Sequence, residues 1–413
     1  MRRWLGLKAL VHDAIDATTE LVREGHASAH RNVERVTDRM GPLGDPARAV
    51  SRVVRLGTEG SLVSVQVVQR VVEQLTDLGL AAALPEGEAD EPPVPQRSDI
   101  LTTPAWAADA ALGVVNGALG HHLAERGNGL DLGFALRHSD RYLTDEPADL
   151  QGTTVVFVHG LGTTEWSWSL YAEDYHGDPQ ATFGTLLARD AGVTPLFARY
   201  NTGRSVARNG ADLAGALERH APSASRIVLV GHSMGGLVCR AACQAAADAS
   251  HTWLSNADLV ISLGTPHQGA PLARFGQTAR ATLGAVDLPA TRILSQILAG
   301  RSAGIRDLEH GDVGDLGPDP DALATPGERV VPLRPGIRYA FLSATVSSAG
   351  DPASELLGDL LVQVDSASGP VRHESFPIET SNLSGVLHHQ LQVHPAVYAQ
   401  VRALVTEASS SPR

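Results

Sequence analysis

From residue 150 onward the chain alternates short runs rich in β-branched and aromatic residues, at 153–158, 194–200, 226–230, 258–263 and 338–344, with stretches of helical periodicity. Two strands that lie parallel need a crossover of a dozen residues or more, usually a helix. The alternation therefore predicts βαβ units and an α/β fold whose mostly parallel sheet is buried on both faces. Between residues 271 and 335 the pattern lapses into a Gly- and Pro-containing stretch too long for an ordinary connection. That stretch is expected to be a helical cap or lid inserted into the fold.

Upstream the organisation differs. Residues 3–40 carry apolar side chains such as Trp4, Leu7, Val11 and Ile15 at helical spacing, and Met40-Gly41-Pro42 supplies a stop. A second periodic stretch covers 46–80, although Leu62 to Val68 would also suit a strand. Pro85, Pro92, Pro93 and Pro95, with acidic residues between them, prevent regular structure and predict a linker. A third helix is expected over 105–125. The expected divisions are an N-terminal amphipathic helical region at 1–84, the linker at 85–104, a helix and lead-in at 105–150, and a catalytic domain at 151–405.

Composition excludes several chemistries. The formal charge is −13, from 33 basic against 46 acidic residues, with no basic block, so nucleic acid is not an expected partner. Lys8 is the lone lysine. No lysine is then placed for a phosphate-binding GxxxxGK loop or for a cofactor Schiff base. No spanning membrane segment is expected, since charges, Gly or Pro interrupt every long apolar run. The first twenty residues lack the unbroken apolar stretch and cleavage site of a secretory signal, which makes a cytoplasmic location the expectation. Cys239 and Cys243, four apart, share one helix face and are expected to be buried free thiols rather than a disulfide or a metal site.

The chemistry is carried by Ile227-Val228-Leu229-Val230-Gly231-His232-Ser233-Met234-Gly235-Gly236, a strand, a G-x-S-x-G turn and then an Ala-rich helix. A serine at such a turn takes strained dihedrals, and the flanking glycines are needed because side chains there would strike the neighbouring strand and helix. The turn is expected to present Ser233 Oγ outward at a helix N-terminus, where unpaired N–H groups and the helix dipole stabilise a developing oxyanion. One donor would be the N–H of Met234. The other is expected from the loop after an earlier strand, His159-Gly160-Leu161-Gly162, with the Leu161 N–H as donor. Glu165 stands where a dinucleotide-binding loop would need its third glycine.

Taken together, HGLGTTEWSW at 159–168, RYNTGRSVARNG at 199–210, GHSMGG at 231–236, LGTPHQGAP at 263–271, GDLLVQVDSASG at 358–369 and HHQLQVHPAVY at 388–398 resemble an α/β-hydrolase of the bacterial lipase and esterase type. The resemblance is close to the group related to inositol-deacylase-like and lipase class 2 domains, and covers residues 153–400. It implies the α/β-hydrolase fold and a catalytic order of nucleophile, acid, histidine. It selects Asp359 as the acid, with Asp351 and Asp365 as local rivals. It selects His388 as the base, with His389 adjacent. His159, His232, His267 and His394 are then expected to hydrogen-bond and pack around the site. Neither a metal nor a cofactor is implied.

A serine at the turn implies acyl transfer, with carboxylic esters, either small molecules or lipids, as the expected substrates. Amide or thioester cleavage on the same triad is the alternative, as is a non-catalytic lipid-binding scaffold. Trp166, Trp168 and Leu237 are candidates for an apolar substrate-binding mouth, against core packing for the tryptophans. Charge is nearly balanced over 1–80, so the N-terminal helices are expected to pair with the hydrolase domain or with a second subunit in a homo-oligomer rather than with anionic lipid.

Overall fold

The computed structural model describes residues 103–148, 150–269, 302–310, 333–345 and 378–407. The expected helices at 1–84, most of the linker and most of the 271–335 insertion lie outside the described residues. By compactness the chain divides into residues 1–89 with 128–130 and residues 90–127 with 131–413. All the elements named below belong to the second unit.

The described strands are β1 (Phe134–His138), β2 (Arg141–Tyr142), β3 (Thr153–Val158), β4 (Thr194–Tyr200), β5 (Arg226–His232), β6 (Ala257–Leu263), β7 (Arg338–Thr345) and β8 (Ile378–Ser384). They form one eight-stranded sheet in the order β2-β1-β4-β3-β5-β6-β7-β8. Strands β3 to β8 pair in parallel, while β1 is antiparallel to both β2 and β4. The five expected strands are present to within two residues at each end. β1, β2 and β8 were not anticipated. The first two are short and carry Arg and His, and β8 is an edge strand whose Glu379 and Thr380 are exposed, so none has the apolar run of a central strand.

The helices are α1 (Thr103–Glu125), α2 (Ala172–His176), α3 (Phe183–Ala191), α4 (Val206–His220), α5 (Met234–Asp248), α6 (Ala303–His310) and α7 (Pro395–Thr406). Alternate strand residues face opposite sides of the sheet, and the core divides accordingly. Val156, Val158, Leu229 and Val260 pack with residues of α1, α4, α5 and α6. Val155, Phe157, Val228 and Ile261 pack with α3, α7 and Trp168. The result is a three-layer α/β/α sandwich with both sheet faces dry.

At the amino ends of the strands, Arg226 and Arg338 share Asp258 and donate to the last carbonyls of α7, those of Val405 and Leu404, which have no partner within the helix. At the carboxyl ends the chain reverses direction across the sheet: β4 lies on one side of β3 and β5 on the other. Loops leaving β3 and β5 diverge there and open the crevice in which α/β proteins of this kind place their ligands.

Candidate active site

Only Ser233 separates β5 from α5, and its backbone holds φ 54° and ψ −124°. A non-glycine residue held there stores strain of order 1–3 kcal/mol. The bend is pinned by two bonds: the Ser233 N–H donates to the Leu263 carbonyl at the end of β6 (2.8 Å), and the Ser233 carbonyl accepts from Gly236 (3.1 Å). Tight packing explains the glycines. A Cβ at 231 would lie 2.4 Å from the Gly235 carbonyl carbon, and one at 235 would lie 2.2 Å from the Val158 carbonyl oxygen.

Ser233 is only 3% exposed. The outward presentation expected from the turn alone is thus corrected: the loop after β3 packs against the serine and encloses it. The Gly160 position, for instance, brings a would-be Cβ within 3.1 Å of Ser233 Cβ.

His388 opens a 3-10 turn, His388–Gln392, after β8. His232, the residue before the serine, donates from Nε2 to the His388 carbonyl (3.0 Å), and the two rings lie 4.8 Å apart. Burial, with the neighbouring His388 next in weight, holds the His232 pKa well below the ordinary 6.5, so the ring is neutral. The His388 ring packs over Gly264, where a Cβ would meet Nδ1 at 3.0 Å. Gly264 follows Leu263, the acceptor for Ser233. His389 turns elsewhere, its ring 5.5 Å from Tyr171. Of the two adjacent histidines, His388 is the one set against the residues that hold the serine. Asp359, Asp351 and Asp365 all lie outside the described residues.

The loop after β3 is held from several directions. His159 stacks on Tyr200 at 4.3 Å, and Tyr200 donates its hydroxyl to the His159 carbonyl at 2.7 Å. Burial pushes the His159 pKa down to about 3, and its Nδ1 lies 3.0 Å from the Gly160 carbonyl. Thr163 Oγ1 donates to that same carbonyl (2.9 Å). The Gly162 N–H is taken by Thr202 Oγ1 (3.1 Å). Among the described residues nothing accepts from the N–H of Leu161 or from that of Met234, which heads α5. Backbone donors left without an acceptor next to a serine can serve a developing oxyanion.

The remaining candidates fall elsewhere. Trp168 is fully buried against Phe157, Phe183 and His232, and Leu237 is fully buried in the core beneath α5. For these two, core packing replaces the expected place at a substrate mouth, because their positions on the 3-10 turn and on α5 fall on the faces that pack against the sheet. Trp166 lies under the Arg137 guanidinium (4.2 Å) and lines a cavity of about 490 Å³ with Thr182 and Phe197. Ser233 and His388 do not line that cavity. His267 packs on Phe341 and accepts from Arg240, and His394 caps α7 through Ala396, both within the supporting roles expected. Cys239 and Cys243 are buried and free, with burial pushing the Cys243 thiol up to about 12.

Sequence reasoning missed Thr202 and the group behind it. Arg199 donates to Asp109 (2.6 Å) and to Glu165 (2.9 Å), and Tyr142 also bonds Glu165. Burial alone would lower the Arg199 pKa, but the two carboxylates outweigh it and hold the guanidinium charged. These residues come from α1, β2, β4 and the loop after β3, and no spacing along the chain links them. Among the described residues no group of three His, Cys, Asp or Glu side chains could hold a metal, and no helix is long and apolar enough to cross a membrane.

Among solved structures, the chain is similar to a lipase from Bacillus licheniformis at 19% identity, covering 66% of this chain and 98% of that one with a TM-score of 0.41. It is similar to an esterase from Pyrobaculum calidifontis at 12% identity, with 73% and 92% covered and a TM-score of 0.39. A thioesterase of the prodiginine pathway in Streptomyces coelicolor is 15% identical, with 64% and 97% covered and a TM-score of 0.37. No curated protein matches the chain in sequence. The model of the alpha/beta hydrolase family matches residues 155–391, from within β3 to the turn that begins at His388. With more than half of its length so matched, the chain belongs to the alpha/beta hydrolase family.

Proposed function

We propose that the protein is a serine hydrolase that cleaves carboxylic esters through an acyl-enzyme on Ser233. The observation that carries this reading is the strained Ser233 bend at the head of α5, with His388 packed beside the same bend. In this scheme His388 takes the Ser233 hydroxyl proton as Oγ attacks the ester carbonyl, then returns it to the leaving alcohol. Asp359 orients the imidazole and stabilises its cation. The Leu161 and Met234 N–H groups hold the oxyanion of each tetrahedral intermediate, and water releases the acid in the second half. The strain at Ser233 keeps the hydroxyl fixed before substrate arrives, so little reorganisation is left for the transition state.

Hydrolysis of p-nitrophenyl esters of short and medium chain length tests the reading. Ser233→Ala is expected to lower kcat by about 10⁶-fold, and activity surviving that change would remove the nucleophile. Asp359→Asn is expected to lose more than Asp351→Asn or Asp365→Asn, and the reverse ranking would reassign the acid.

A further inference from the structure

The loop that would supply the Leu161 donor is held by a helix lying outside the family-matched residues. Gly113, Gly117 and Gly120 of α1 recur at spacings of four and three, which puts them on one helix face. A Cβ at 117 would stand 2.9 Å from Gly162 Cα and 3.1 Å from Gly162 N, and one at 113 would stand 3.0 Å from the Thr163 carbonyl carbon. Helix backbone therefore lies directly on loop backbone.

The contact is fastened along the loop. Gly162 donates to Thr202, a fully buried side chain, and Thr164 Oγ1 donates to Asp109 of α1 (2.5 Å). Glu165 accepts from Arg199, which also binds Asp109. The loop carrying Thr202 is itself tied to α1, since Asn201 Nδ2 donates to the Gly120 carbonyl (2.8 Å). Ser302, just before α6, donates to the Gly117 carbonyl (2.7 Å). With its N–H given to Thr202, Gly162 is withdrawn from the hole, while the N–H of Leu161 beside it stays without an acceptor among the described residues.

We propose that α1 positions the oxyanion loop, with Gly117 and Thr202 as positioning residues that set the direction of the Leu161 N–H without touching substrate. The proposal rests on the reading of Ser233 given above. A donor aimed at the transition-state oxyanion acts on kcat rather than on ground-state binding. Moving it should thus leave KM nearly constant.

The test uses the full chain with p-nitrophenyl butyrate, comparing Gly117→Ala, Thr202→Val and Thr202→Ser with the parent and with Ser233→Ala, and following thermal unfolding of each. Gly117→Ala and Thr202→Val are expected to lower kcat by about 10- to 100-fold, short of the loss of a whole donor, with KM changed less than about twofold. Thr202→Ser, which keeps the acceptor, should restore most of kcat. Retained kcat in Thr202→Val, or no recovery in Thr202→Ser, would overturn the proposal, and this pair decides the matter if Gly117→Ala does not fold. A parent whose activity does not depend on Ser233 would instead overturn the underlying functional reading.

Discussion

Two groups of glycines bring backbone against backbone in this protein, and they act over different distances along the chain. Gly231 and Gly235 work within five residues of each other, around Ser233. Gly113 and Gly117 act on the β3 loop, about 45 to 50 residues further on, and Gly120 makes room for the Asn201 side chain in the loop after β4. The first group shapes a turn that the strand and helix on either side already demand. The second shapes a contact that exists only once the sheet has formed and carried the β3 loop to the helix. Local glycines thus fix where Ser233 stands, and distant ones fix the loop after β3.

The largest expected effect that separates the two belongs to the bend. Gly235→Val must fit a branched side chain where even a Cβ would meet the Val158 carbonyl oxygen at 2.2 Å. Overpacking of this kind against unyielding backbone should cost about 3 kcal/mol or more and abolish ester hydrolysis, as read from urea denaturation and initial rates. If Gly235→Val folds and turns over normally, the two groups do not differ in kind.

Next is the ion cluster beneath α1. Asp109→Asn leaves the buried Arg199 with Glu165 as its charged partner and is expected to destabilise the fold by about 3 kcal/mol. Replacing both Asp109 and Arg199 by apolar residues of similar size should recover part of that loss. A double change as costly as the sum of the single ones would show that the cluster does not act as a unit.

Smallest over a single pH unit, at about 1.4 kcal/mol, is the pH dependence of stability. His159 stands on the β3 loop and His232 next to Ser233, and burial lowers both pKa values, that of His159 to about 3. The unfolded chain, with imidazoles near 6.5, binds more protons than the folded one below that pH. Stability from His159 is therefore complete above about 6.5 and falls by about 1.4 kcal/mol per pH unit down to about 3. His159→Asn should make the urea midpoint less steep in pH by one proton's worth, and His232→Asn should do the same from the other side. An unchanged slope would place the charge-sensitive groups elsewhere.

Much of this could be read from the chain itself, and the exceptions share a cause. Strands β3 to β7 announce themselves because central parallel strands are apolar throughout, and the Ser233 turn does so because its glycines are close in sequence. β2 and β8 escaped because they are edge strands, which need only one dry face, and β1 because its five residues include Arg137 and His138 and show no apolar run. The choice of His388 needed the family resemblance, and it is the His232 bond to its carbonyl that sets it apart from His389 within the fold. Trp168 and Leu237 were candidates for a mouth because they stand near motifs, but proximity along the chain says nothing of the face to which a side chain turns. Glycines inside α1 suggest only a weak helix. Their purpose is invisible until the β3 loop lies across them.

The ion cluster and the glycine face of α1 also bear on how far the chain can be trimmed. A fragment cut to residues 155–391 would begin inside β3, forfeiting two strands, the salt-bridged carboxylate at 109 and the surface on which the loop rests. On the reading proposed here, the shortest excised form able to turn over an ester starts upstream of Asp109, well before the boundary a family comparison would suggest.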